Sequence, residues 1–462
     1  MCFSDKQFRF PRFPVVSLGL FVSLLMTVRA AELHVGAGQT YTAIQDAVNA
    51  AANGDTIIIH EGTYSEHLTI NKQQLTLIGA YGEARPHIQG FRTDADHGES
   101  VVNVPSANVT LRDLEISNAN GNGEFGYLVT SQGANLTVDN CVIRNGRYGV
   151  IGTGDNMTVQ HCEISDFLRD GVSFRGSGGC TVTENWIHGS TSYENKADQG
   201  STYGVRLDAP AGSAGSTADV SYNYISGTRT GIVYRADTSG YPTGTVLLSH
   251  NTIDGAVTYV PVDETSGYYV TPWGDVSYTR SGIDLFAVKA ATFNAGNFAI
   301  RDNLITNCWW YGMYFGTTAE GGSLTADLPV ENALFYNNFS RDLWWANPVN
   351  RYPEEFPSGI PDGAPAGARP EAGWVDIGGD LVFVDAVIAD PQFTQNSLTG
   401  PEDYYALLPT SPGWNAASDG THIGAWQSTV IPEPGMLLLF LLSGTILFKR
   451  PGRSSGDTSR RA

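Results

Sequence analysis

Apolar and polar positions alternate along most of this chain in runs too short for helices, and the runs come back. One phrase, with an apolar residue, two variable ones, a polar one and then an isoleucine two places on, recurs as Val182 to Ile187, Val220 to Ile225 and Ile300 to Ile305. A second phrase follows, a glycine opening a new alternation, at Gly149, Gly171, Gly204, Gly231, Gly282 and Gly312. Alternation with period two is the signature of a strand, and its return at roughly constant spacing predicts one strand set per repeat, stacked into a solenoid. The shortest repeats, Ile143 to Ile164 and Ile164 to Ile187, leave room for about three short strands and three turns with no helical period. Such a coil closes on itself as a parallel β-helix, and a side chain at one fixed turn then lands about 4.8 Å above its counterpart.

The residue two places before each recurring apolar position forms a predicted column: Leu114, Cys141, Cys162, Asn185, Asn223, Asn251, Asn303 and Asn332. Stacked amides hydrogen-bond along the axis, so an asparagine column satisfies its own buried polar groups. Cys141 and Cys162 continue the stack as small apolar thiols. Their Cβ vectors should run parallel, which favours free thiols over a bridge. Ahead of the repeats, residues 41–52 carry apolar Ile44, Ala47, Val48 and Ala51 at helical spacing, with Thr42 and Gln45 as a capping box. A helix there closes the open end, since terminal repeats need a cap.

These phrases, with Asn53 to Glu66 at the entrance and Asp390 to Phe393, Asp403 to Pro412 and Asp419 to Ala425 at the exit, resemble the right-handed parallel β-helix superfamily of pectate lyases, polygalacturonases and related carbohydrate-active proteins. The resemblance runs from about Glu32 to Gln427. It implies an all-β chain: a right-handed parallel β-helix solenoid with an N-terminal capping helix and an irregular C-terminal cap.

The two ends read as addresses. Lys6, Arg9 and Arg12 precede an apolar run from Val15 to Met26 and small residues up to Ala30, the pattern of a secretory signal peptide over residues 1–30. After the β-helix domain at 31–427, residues 428–462 hold Ile431-Pro-Glu-Pro434, an apolar run from Gly435 to Phe448, and Lys449 with Arg450. That order resembles the PEP-CTERM sorting signal. It implies export to the surface or matrix of a Gram-negative bacterium, an exosortase-type processing enzyme as partner, and transient membrane association through the tail, whose apolar run is shorter than the roughly 20 residues of a comfortable span.

Composition narrows the partners. Aromatics at 11% and 53 glycines suit a chain of tight turns. Without residues 1–30 and 435–462 the charge is 18 basic against 45 acidic groups, a net of −27, which argues against nucleic acid. Polysaccharide, extracellular or in the cell wall, is the partner the resemblance implies. No Cys/His zinc spacing is present. No cofactor is expected, and a Ca2+ site around Asp166, Asp170 and Asp198 has no spaced carboxylate loop behind it.

Two insertions mark one face. Ile187 to Gly204 takes 17 residues and Ile253 to Gly282 takes 29, where most coils need six or seven. Both open at the same corner and wall the glycine-initiated sheet, the cleft face of the resembled enzymes. Trp273 in the second loop, Trp309 and Trp310 beside it, and Tyr314 offer flat surfaces for sugar rings or for packing the loops down.

Counting outward from each glycine places Arg175, Arg206, Asp208, Arg235 and Asp284 on the outer face, with Arg175, Asp208 and Arg235 in one cross-strand column. Guanidinium forks hold carboxylates, so the three arginines suit uronic or sulfated sugars. A lyase needs a base and a cation for the enolate, for which Lys289, Lys196 or Arg235 stand ready. A hydrolase would use Asp208 and Asp284, two strands apart, in the wide inverting arrangement. The same five charges also make a plain pairing ladder. Moreover, the adjacent-Asp and Gly-His-Gly motifs of polygalacturonases and the Gly-Arg-Pro-Trp motif of pectin esterases are missing. Two functions therefore stay open: polysaccharide binding with lyase or hydrolase cleavage, and a non-catalytic structural or adhesive matrix protein.

Overall fold

The computed structural model describes residues 30–91, 99–118, 126–189, 203–209, 217–228, 230–236, 244–255, 281–287, 292–308, 311–317, 323–336, 341–345, 381–393 and 407–425. Trp273, Lys289, Lys196, Trp309, Trp310 and the sorting tail lie outside them.

Nearly every element is a short parallel strand, and the strands fall into three walls of a right-handed β-helix. Wall A is a 12-stranded sheet running in sequence order from Glu32–Val35 through Thr56–Ile59 and Cys180–Thr183 to Leu381–Val384. Wall B begins at Thr63–Tyr64 and His87–Gly90 and continues through Trp186–His188, Tyr224–Ser226, Thr252–Asp254 and Leu304–Thr306. Wall C, opened by the repeat glycines, contains Tyr127–Ser131, Tyr203–Ala209, Thr230–Ala236, Ser281–Ala287 and Tyr311–Thr317. Two long strands, Val142–Gly152 and Glu163–Phe174, bend from wall B into wall C. Their mutual register slips between Gly146 and Tyr148, at the corner.

Alternation turns one side chain in two inward, and the inward ones stack. In wall A the series Ile57, Leu77, Leu111, Val138, Val159, Val182, Val220, Leu248, Ile300 and Val330 is in register and fully buried. Each such residue contributes roughly 1.5–3 kcal/mol by leaving water. The repeat glycines are required by packing. A Cβ on Gly204 would meet the Gly231 oxygen at 2.6 Å and Ile225 Cγ2 at 2.5 Å, and one on Gly231 would meet the Gly282 oxygen at 2.7 Å.

The asparagine column is present and buried. Asn185 Nδ2 donates to Asn223 Oδ1 at 3.0 Å, Asn223 Nδ2 to Asn251 Oδ1 at 3.0 Å, and Asn251 Nδ2 to Asn303 Oδ1 at 3.0 Å. Each amide also donates to a wall A carbonyl of the preceding coil, as Asn251 does to Val220. Cys141 and Cys162 precede it as free buried thiols, with the Cys141 N–H donating to Cys162 Sγ at 3.4 Å. The expected last member, Asn332, is not in the column. Phe335 pairs with Ile305, so buried Ala333 takes that place. Asn332, at φ 49°, joins His161, Glu184, Tyr222, His250 and Asp302 in the left-handed turn position just before the column.

Helix α1, Ile44–Ala50, buries Ile44, Ala47 and Val48 over the first coil as expected, but not through the capping box. Its N-cap is Ala43, and Glu66 reaches in from the next coil to accept from the Ile44 and Gln45 N–H groups at 2.8 and 2.9 Å. At the other end, residues 407–425 fold back irregularly over wall B, packing Leu407, Ala417 and Ile423 against Leu304 and Leu334.

Candidate active site on wall C

Strand register aligns three columns of residues on wall C. The residues just before the repeat glycines give Tyr148, Asp170, Tyr203, Thr230 and Ser281. Two residues after each glycine stand Ser173, Arg206, Val233, Asp284 and Tyr314. Beyond these, Asp208, Arg235 and Phe286 are aligned. Arg175, one residue past Phe174, meets Asp208, because Phe174 pairs with Leu207.

The expected Arg-Asp-Arg column is therefore real, and Arg206 joins it. Asp208 sits among three guanidinium groups. Arg206 Nε donates to both of its oxygens at 3.0 Å and Arg206 Nη2 lies 2.8 Å from Oδ2. Arg175 Nε is 3.4 Å away and Arg235 Nε 4.0 Å. Burial pulls the Arg206 pKa down, yet the hydrogen bonds and charge of Asp208 and the charge of Asp170 outweigh it, and the net shift is upward.

This is not an exposed ladder. Ser173 and Val233 point out of the sheet yet are 0% and 2% exposed, and Arg206 and Asp208 retain only 17%. Arg235, at 26%, has a buried Nε with no hydrogen-bond partner. Asp284, the second carboxylate of the expected hydrolase pair, accepts from Thr230 Oγ1 at 3.3 Å. It is two strands from Asp208 and offset by two residues, since Asp208 is aligned with Phe286. That offset puts the two Cα atoms about 12 Å apart rather than the 9–10 Å of strand spacing alone. Tyr314 stands opposite Asp284 in the register.

Asp170 is the residue that counting from the glycines missed. It lies 1% exposed, with neither carboxylate oxygen hydrogen-bonded. Arg206 Nη1, at 4.0 Å from Oδ2, makes an ion pair with it. Burial pushes its pKa up to about 6 against the pull of Arg206 and Arg175. The Ser173 hydroxyl favours the anion from outside hydrogen-bond geometry, and Asp208 repels it. The signal was present in the sequence: the residue before each repeat glycine is polar or aromatic, and only Asp170 is charged. Alternation that starts at the glycine begins one residue after Asp170, whose strand comes in from wall B through the corner where the register slips.

Aromatic rings lead to the cluster along the same column. Tyr127 and Tyr148 stack with centroids 5.0 Å apart at 16°, and the Arg206 guanidinium lies 5.6 Å from the Tyr203 ring centre. Among the described residues no group of three potential metal ligands comes together. Asp170 belongs to the arginine cluster, whereas Asp166 occupies a left-handed turn at φ 52°.

The family described as "Right handed beta helix region" matches residues 77–193 and 104–276. No curated protein matches the chain. Among solved structures, the chain is similar to pectate lyase Pel9A, at 11% identity and TM-score 0.37 over 86% of this chain and 96% of that one. It is also similar to pectin methylesterase from carrot, at 13% identity and TM-score 0.36 over 70% and 90%, and to pectin methylesterase from Aspergillus niger, at 15% identity and TM-score 0.32 over 75% and 93%. The three walls of parallel strands, together with the match to the right-handed β-helix family model, make the fold of this chain a right-handed parallel β-helix.

Proposed function

We propose that wall C is a site for binding and cleaving anionic polysaccharide. The observation that carries this reading is the buried Arg235 Nε, which has no hydrogen-bond acceptor, within an arginine-rich cluster on a face where outward side chains are covered. A buried donor without a partner is costly to a fold that gains nothing from it, and a sugar carboxylate would supply the missing acceptor. Arg175 and Arg206 hold the same charge preference, and the ring of Tyr203 gives a stacking surface. For hydrolysis, Asp284 is the better base, because both oxygens of Asp208 are already engaged by Arg206. For β-elimination, Arg235 serves as the cation at the developing enolate. In this reading the protein is exported, and residues 428–462 are a PEP-CTERM-type tail removed by an exosortase-type enzyme.

The saturation of Asp208 by guanidinium groups favours a second reading, a non-catalytic adhesive protein of the extracellular matrix. Incubation of the purified protein with a polyuronate panel separates the two. Absorbance of unsaturated products reports lyase action, and reducing ends report either chemistry. Arg235→Ala is expected to weaken binding of acidic glycans about tenfold or more, as loss of a charge-assisted hydrogen bond implies, and to leave neutral glycans unaffected. Asp284→Asn is expected to abolish hydrolysis but not elimination. No product from any polyuronate, with binding intact, would leave the adhesive reading standing.

A further inference from the structure

We infer that Asp170 is the specificity-determining residue of this site: its carboxylate is a built-in rival for the Arg206 guanidinium, so the site takes an acidic sugar when Asp170 is protonated and yields it when Asp170 is ionised. The inference rests on the glycan reading of wall C and adds its control.

The geometry is that of a competitor. Arg206 commits Nε and Nη2 to Asp208, which leaves Nη1 as the free end of the fork. Asp170 Oδ2 lies 4.0 Å from that Nη1, too far for a hydrogen bond and near enough to hold its charge. Both Asp170 oxygens are buried without a hydrogen bond in good geometry, so the ionised form depends mainly on the positive charge of Arg206 and Arg175.

The surrounding groups leave Asp170 as the titrating member. The strand Val142–Gly152 presents Tyr148 to it, and Tyr203–Ala209 presents Tyr203, Arg206 and Asp208. Its own segment supplies Ser173 and Arg175. Tyrosine and arginine side chains ordinarily titrate far above neutrality. With Asp170, Asp208 and Asp284 ionised, the charges of Arg175, Arg206 and Arg235 are balanced. A proton taken from solvent by Asp170 leaves one positive charge in excess on the cluster, and it frees Nη1 of Arg206 from its carboxylate. Burial, which pushes this carboxyl up to about 6, places the change between mildly acidic and neutral conditions. A sugar carboxylate, titrating near ~4 like other carboxyls, stays ionised at that point.

Calorimetric binding of oligogalacturonate to the full protein at pH 5.0 and pH 7.5 tests this, with a neutral xylo-oligosaccharide as control. Wild-type affinity is expected to fall by up to about 30-fold across that interval, the limit for one carboxyl titrating near 6. Asp170→Asn is expected to bind with little change, and the neutral glycan to show no pH effect. At pH 6.5, in two buffers of different ionisation enthalpy, the wild type is expected to take up a fraction of a proton on binding. Binding without a pH effect, the same loss in Asp170→Asn, or no proton uptake by the wild type would each overturn the role of Asp170. The proton measurement needs no variant and so survives a failure of Asp170→Asn to fold. Absence of oligogalacturonate binding at both pH values would instead overturn the glycan reading beneath it, and the role of Asp170 with it.

Discussion

A carboxyl group whose folded-state pKa lies above its unfolded value binds protons more tightly when folded, so stability falls as pH rises between the two. Asp170, at about 6 against an ordinary 3.8, is such a group. Asp170→Asn is therefore expected to raise stability at pH 7.5 by up to ~3 kcal/mol, seen as a higher melting temperature, and to change little at pH 3.5, where the wild-type carboxyl is mostly protonated in both states. Equal effects at the two pH values would show that ionisation is not the cause. Asn251 is a residue of the opposite kind. Its Oδ1 accepts from the Asn223 N–H and Nδ2, and its Nδ2 donates to Asn303 and Val220. Asn251→Ala strands buried partners on both sides and is expected to lower stability by roughly 1–3 kcal/mol in chemical denaturation.

At the scale of the strand, spacing is the constraint that composition follows. The repeat glycines begin each wall C strand because the next coil's backbone and the wall B isoleucine occupy the space of a Cβ. Gly231→Ala would place a methyl 2.7 Å from the Gly282 oxygen and 2.5 Å from Ile253 Cγ2. A loss of about 1–3 kcal/mol is expected, as for other overpacked sites, and a melting temperature equal to wild type would mean the coils can part locally. The outer face of wall A obeys a different rule. Thr56, Thr76, Thr110, Thr137, Thr158 and Thr181 are aligned in six consecutive strands, a β-branched column suited to a half-exposed pleat. That column, like the Glu66 cap on α1, joins residues from separate coils and is invisible to any local window of sequence.

For the molecule as a whole, the irregular segment 407–425 ties distant coils together. Asp302, fully buried, accepts from the Ser418 N–H at 2.6 Å and from its hydroxyl at 2.5 Å, and its own carbonyl accepts from Gly424. Tyr224 donates to the Ala425 carbonyl and Thr252 Oγ1 accepts from the Ala425 N–H. The hydrogen bonds of one segment thus reach three consecutive coils, and its packing on Leu334 reaches a fourth. Asp302→Ala is expected to release it, lowering stability by roughly 1–3 kcal/mol and exposing 407–425 to limited proteolysis before the solenoid is cut. Cleavage of the solenoid first would show that the segment is held mainly by Leu407 and Ile423 against Leu304 and Leu334.

By itself the sequence determined the solenoid, because a period of two within strands and a fixed return between them leave a stacked β-coil as the way to bury the isoleucines and valines. It also determined most of the asparagine column and the outward arginines, since side-chain parity follows from alternation once a strand's start is known. Tertiary structure decided the rest. Asn332 resembled a column member until the pairing of Phe335 with Ile305 moved the register by one residue. Asp170 was out of sight because its strand enters from the neighbouring wall through a corner where the register slips. Its environment, a buried carboxyl facing one guanidinium nitrogen, depends on which coils are adjacent. Adjacency across coils joins residues 20 to 50 positions apart, and desolvation depends on what covers a group, so neither is written in any local pattern.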